Sequence, residues 1–140
     1  MKILLAIDGS AFTKKMLAYL TTHDALFSAQ NSYTLLTVSP QLPPRARAAV
    51  GKEMVDTYHR EEAEKVLAPV SKFLLRHGID AQTMSKVGHA GETISKTADS
   101  GKFDLVVMGS HGHGTLGNLV MGSVATQVLA NCKVPVLLVR

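Results

Sequence analysis

Gly109-Ser110-His111-Gly112, nine further residues, then Gly122-Ser123 is the pattern in this chain most able to do chemistry. It follows the apolar run Leu105-Val106-Val107-Met108, and an apolar, small-residue segment from Leu119 to Leu129 reads as the helix after it. Glycines between a strand end and a helix start let backbone approach a ligand closely, and the free N–H groups and dipole of the helix end favour phosphate. No Gly-Lys-Ser/Thr follows, and Gly-x-Gly-x-x-Gly is absent after the first strand, so this is neither a P-loop nor a dinucleotide fingerprint. Asp8, ending the run Ile3 to Ile7, is the second polar group of interest, suited to binding a ribose or capping its own turn. His111, His113 and His89 raise a metal reading. With no neighbouring Cys or Glu, they read more simply as loop side chains. Ser10 and Ser123 lack the Gly-x-Ser-x-Gly elbow of a serine hydrolase.

These residues need elements to hold them. The run 3–7 reads as a buried strand, with Ser10 as N-cap of a helix bearing Phe12, Met16, Leu17, Tyr19, Leu20 and Ala25. Tyr33 to Val38 is a second strand, and Gln41-Leu42-Pro43-Pro44 a loop. A long helix from about Gly51 to His77 carries Ala63, Val66, Leu67, Val70, Phe73 and Leu74, with a kink expected at Pro69 and Gly78 as its C-terminal cap. Ala81 to Val87, Leu105 to Met108 and Val134 to Val139 supply three more strands, and Gly91 to Ser100 a short helix. Alternating strands and helices, with strands read as continuous apolar runs, predict a single α/β domain over 1–140. Its fold is a doubly wound five-stranded parallel sheet of order 3-2-1-4-5 with helices on both faces. Ligands of such sheets sit beyond the strand C-termini where the order reverses, here between strands one and four, which brings Asp8 to the Gly109 loop.

Composition narrows the class. The chain has 140 residues, of which 46% are hydrophobic and 19% charged, a balance that excludes disorder. No apolar stretch is long enough for a membrane helix, and the N-terminal run is too short for a signal peptide, so a cytoplasmic protein is expected. A single cysteine, Cys132, excludes an internal disulfide and reads as a structural thiol. The net charge of +4 suits anionic ligands. With no Trp, three Tyr and four Phe, stacking platforms are scarce and nucleic acid is not the expected partner. Arg45 and Arg47 are the nearest approach to a basic cluster. The apolar last strand, at an edge with nothing after it to cover it, calls for pairing.

Ala6-Ile7-Asp8-Gly9-Ser10, Val87-Gly88-His89-Ala90-Gly91-Glu92-Thr93-Ile94, Met108-Gly109-Ser110-His111-Gly112-x9-Gly122-Ser123-Val124-Ala125 and Cys132-Lys133-Val134-Pro135-Val136-Leu137-Leu138-Val139 together resemble the universal stress protein family. The resemblance covers essentially the whole chain, and the spaced glycines mark the family's ATP-binding branch. It implies that Asp8 lies near ribose and adenine and that Val38 meets the adenine. It also implies that Met108, Gly109, His111 and Gly112 line the ribose–phosphate side, and that Gly122, Ser123 and Val124 hold phosphates. Mg²⁺ or Mn²⁺ would arrive on the triphosphate instead of in a protein cage. A homodimer through Val136–Val139, paired antiparallel across a two-fold axis, and a nucleotide-dependent switch read by an unidentified protein partner are further implications. Bound ATP is expected to order 113–121 and 40–44. His113 departs from the basic residue, often Arg, that many ATP-binding members have there. One imidazole donor replaces a fork of charged ones, so phosphate affinity is expected to be lower and to rise on protonation. With no base, P-loop lysine or arginine finger, hydrolysis is expected to be slow if present. A true ATPase or nucleotidyl-transfer enzyme and a nucleotide-independent dimeric scaffold are the alternatives.

Overall fold

A computed structural model describes residues 1–114 and 120–140. The sheet order is β3-β2-β1-β4-β5, all parallel, as the sequence predicts. Its strands are β1 (Lys2–Ala6), β2 (Ser32–Ser39), β3 (Gln82–Val87), β4 (Leu105–Gly109) and β5 (Val136–Val139). The helices are α1 (Ala11–Thr22), α2 (Pro44–Val50), α3 (Lys52–Arg76), α4 (Ala90–Ser100) and α5 (Ser123–Asn131).

Side chains alternate across a strand, and the alternation divides the core in two. Ile3, Leu5 and Ile7, with Leu35, Val107 and Val139, face α1 and α3. Leu4 and Ala6, with Leu36, Val106 and Met108, face α4 and α5. The middle of β1 and of β4 is therefore apolar at successive positions because each face has its own helical layer, while β2 buries Thr34 and Thr37 among its apolar residues. The expectation that every strand is such a run fails at β3. Gln82, Thr83, Ser85, Lys86 and Val87 are exposed there and only Met84 is half-buried, as befits an edge strand paired on one side.

On α1, Thr13, Met16, Leu17 and Leu20 form the buried stripe, whereas Ala25 lies beyond the helix end. Ser10 occupies the N-cap position but its side chain makes no capping bond, and its Oγ is buried without a partner. On α3 the buried stripe is Ala63, Leu67, Val70 and Leu74. The helix runs through Pro69, an exposed residue whose missing N–H leaves the carbonyl of the exposed Lys65 without its helical bond. Gly78 adopts φ +80 and closes α3. Its N–H donates to Leu75 O at 3.1 Å and that of Ile79 to Leu74 O at 2.9 Å, the paired bonds of a Schellman ending.

The segment after β2 needs correcting. Pro44 is not loop but the first residue of α2, where a proline loses no helical bond, and Arg45 and Arg47 belong to that helix. Gly51, at φ +81, separates α2 from α3. The last helix also starts later than the sequence predicts, at Ser123. Leu119, its expected start, lies outside the described residues, as do Thr115 and most of the segment 113–121. No helix of the described residues is long and apolar enough to cross a membrane.

Candidate functional site

The chain turns in opposite directions from β1 and β4, so the loops above their C-terminal ends part and leave a crevice. It encloses about 370 Å³, and all nine residues singled out from the sequence line it: Asp8, Val38, Met108, Gly109, His111, Gly112, Gly122, Ser123 and Val124.

One wall is the upper rim of the core on the α4/α5 side. Ala6, Leu36, Val38, Ile94, Met108 and Ala125 present apolar surface there. A flat, weakly polar group can rest on that rim and bury its faces.

The opposite end is built from backbone. At Gly109 an added methyl would stand 2.6 Å from Phe12 Cβ, so only glycine lets the β4 turn pass α1. At Gly122 it would stand 3.1 Å from His111 Cα and 3.2 Å from Ser110 O, both backbone atoms that cannot rotate away. The Gly122 N–H donates to Ser110 O at 2.8 Å, which fixes the start of α5 against the turn after β4. The N–H groups of Ser123, Val124 and Ala125 then open α5, while that of Thr126 already reaches Gly122 O. Neither α5 nor α1 has an acidic residue in its first turn, which leaves the positive end of α5 open to an anion. The chemistry of this end suits an anion.

Asp8 stands between the two ends. Its Oδ1 accepts from the Ser10 N–H at 2.9 Å and from the Thr13 hydroxyl at 3.0 Å, while Thr13 Oγ1 accepts the Asp8 N–H at 3.2 Å. These bonds lock the carboxylate and leave Oδ2 directed at Gly112, where an added methyl would come within 2.7 Å of it. Asp8 thus caps its own turn and presents an acceptor to the crevice. The two roles are compatible because a carboxylate has two oxygens.

His113 Nε2 lies 2.8 Å from the Asp8 carbonyl oxygen. A carbonyl only accepts, so the bond places the proton on Nε2 and ties the glycine turn to the β1 turn. The donor assigned to phosphate from the sequence is thus already engaged within the protein. Ser110 Oγ lies 2.8 Å from His111 Nδ1, and the His111 ring packs against Phe12 at 4.8 Å between centroids.

Thr13, Ala90 and Ile94 also line the crevice and were not legible as site residues. Thr13 had a usable signal, a hydroxyl five residues after Asp8 in the first turn of α1. Ala90 and Ile94 had none, because only the tertiary fold brings α4 over Met108. Among the described residues, no group of three or more His, Cys, Asp or Glu gathers to hold a metal ion. Cys132, outside the crevice, is half-buried. Burial, reinforced by the neighbouring Asp99 carboxylate, pushes its thiol above the ordinary range.

The family model described as the universal stress protein family matches residues 1–140. Universal stress protein Slr1230 of Synechocystis is 34% identical over 140 residues, 99% of this chain but 42% of that protein, so the chain spans less than half of that relative. A universal stress protein of Thermus aquaticus, encoded in a sulfhydrylase 3′ region, is 34% identical over 139 residues, 99% of this chain and 97% of that one. Among solved structures, the Methanocaldococcus jannaschii protein MJ0577 superposes with a TM-score of 0.82 at 26% identity, covering 99% of this chain and 94% of that one. A universal stress protein in complex with cAMP gives 0.69 at 22%, covering 100% and 97%. The Archaeoglobus fulgidus protein in complex with dAMP gives 0.66 at 20%, covering 100% and 98%.

Proposed function

The chain belongs to the universal stress protein family, and from that premise we propose that its crevice binds an adenine nucleotide, ATP foremost, as a nucleotide-responsive module. The observation that carries this reading is the division of one cavity into an apolar rim, a locked carboxylate oxygen and an anion cradle. Those three features match, in order, a base, a sugar hydroxyl and a phosphate chain. Structural neighbours crystallised with cAMP and dAMP support the adenine assignment.

In this reading the base lies on Val38, Ile94 and Met108, and Asp8 Oδ2 accepts from a ribose hydroxyl. Phosphate oxygens accept from the first-turn amides of α5 and from the Ser123 hydroxyl, with Gly109, Gly112 and Gly122 giving the room for close approach. Mg²⁺ or Mn²⁺ is held by the phosphates, since the described residues gather no cluster of ligating side chains around them. No described lysine or arginine lines the crevice, which leaves transition-state charge unsupported and turnover slow at most. A homodimer paired along β5 and a protein partner that senses the occupied crevice complete the proposal.

The test is mass spectrometry of small molecules released from protein purified without added nucleotide, followed by thermal denaturation with and without Mg-ATP. Recovered adenine nucleotide, or a rise in melting temperature on adding Mg-ATP, is the expected outcome. Neither release nor stabilisation would instead favour a nucleotide-independent scaffold.

A further inference from the structure

A second cavity, of about 540 Å³, opens beyond the C-terminal ends of β2 and β3. Its walls are one face of α2, with Pro44, Arg47 and Ala48 at helical spacing, and one face of the first two turns of α3, with Lys52, Val55, Asp56 and His59. Gln41 and Val87 close it from the loop after β2 and the end of β3. It shares no lining residue with the crevice.

The charges in this cavity are not used by the fold. Among the described residues the ion pairs are Lys65–Glu62 and Lys96–Glu92, so Arg47 and Lys52 pair with no carboxylate, although Asp56 lines the same space. No structural bond engages their side chains, and both are exposed. His59 adds a ring nitrogen, Nδ1, that is shielded from solvent and has no hydrogen-bond partner. His23 and His77 each place Nδ1 within 2.9 Å of the carbonyl one helical turn back, and His59 forgoes that arrangement. An unpartnered shielded nitrogen is costly, and Arg47 and Lys52 stand on the two helices that wall the same cavity. An anion between them takes charge-assisted bonds from both and offers the nitrogen an acceptor after a small shift of the ring.

We propose that this cavity is a second ligand site, distinct from the nucleotide crevice, for a small hydroxylated phosphate monoester. Arg47 and Lys52 grip the phosphate from the two helices, and a guanidinium fork suits its paired oxygens. Asp56 and the Gln41 amide serve the hydroxyls, and Val55 and Val87 cover the carbon skeleton. Val87 pairs in register with Ser39, the residue after Val38, so the two sites flank one strand end.

The experiment is an amide NMR titration of the wild-type chain with glycerol 3-phosphate, and separately with glycerol as an uncharged control. Saturable shifts confined to residues 41–59 and 87, absent with glycerol, are expected. Arg47→Ala/Lys52→Ala should weaken the fitted affinity by about tenfold or more, while the same variant titrated with Mg-ATP keeps the wild-type response. Both residues are exposed and outside the ion pairs of the described residues, so the variant is expected to keep the fold, which its amide spectrum reads directly. Shifts that fail to saturate at millimolar ligand, persist unchanged in the double variant, or fall only on 109–114 and 122–124 would overturn the second site. Because the Mg-ATP response is read separately, its loss contradicts the nucleotide reading alone.

Discussion

At the scale of residues, the crevice depends on a few atoms whose removal has distinct consequences. Gly122→Ala drives a methyl toward His111 Cα and Ser110 O, so either the turn or the start of α5 must move. Calorimetry should show ATP affinity falling at least tenfold, about 1.4 kcal/mol, with the fold retained; unchanged affinity would remove the cradle from the account. Asp8→Asn keeps an acceptor for Ser10 and Thr13 but can turn an amide toward Gly112. It should weaken adenosine and ATP alike by a similar factor, whereas an effect on ATP alone would place Asp8 at the phosphates. His113→Arg supplies a charged fork where the imidazole is committed to the Asp8 carbonyl. It should strengthen ATP several-fold and leave adenosine unaffected. The sequence told which residues gather, because glycine spacing and strand ends are local signals. It did not tell that His113 bonds to the Asp8 backbone, a contact across 105 positions that no local pattern encodes.

At the scale of elements, β1 and β4 were legible because burial on both faces writes a continuous apolar run. The two layers they feed give a stability prediction. Leu35 is fully buried between the sheet and α3, and Leu35→Ala should cost about 3 kcal/mol in denaturant unfolding. The element the sequence hid is α2. Three prolines within five residues read as loop, yet the last of them begins a helix and so builds the wall of the second cavity. β3 was legible as a strand, and its exposure is written in Gln82, Thr83, Ser85 and Lys86, which a reading of every strand as an apolar run passes over. At the junction of α5 with β5, the raised thiol of Cys132 carries a pH consequence. The folded chain holds that proton more tightly than the unfolded chain. Its contribution is therefore complete below the unfolded thiol range and is lost as pH rises through the folded value. Cys132→Ala should flatten the alkaline fall in stability, and an identical pH profile in both proteins would contradict this origin.

At the scale of the whole molecule, β5 is the outermost strand beside β4, and its pairing fixes which groups face outward. Pro135 and Val139 carbonyls accept from Val106 and Ser110 at 2.9 Å, so in a parallel ladder the odd positions face β4 and Val136 and Leu138 present their N–H and C=O groups to the free edge. Partner chains meeting here would use those groups. Light scattering should return twice the chain mass, and Leu138→Pro, which removes one outward donor and no bond to β4, should return the monomer. Wild-type monomer at micromolar concentration would contradict the dimer while leaving the crevice account intact. Whether the crevice selects an adenine nucleotide is read by calorimetric titration of the wild-type chain with Mg-ATP and with Mg-GTP. One saturable site per chain is expected for Mg-ATP, weakened by Gly122→Ala, with at least tenfold weaker binding of Mg-GTP; equal affinities, or no heat with Mg-ATP, would rule out an adenine-nucleotide crevice.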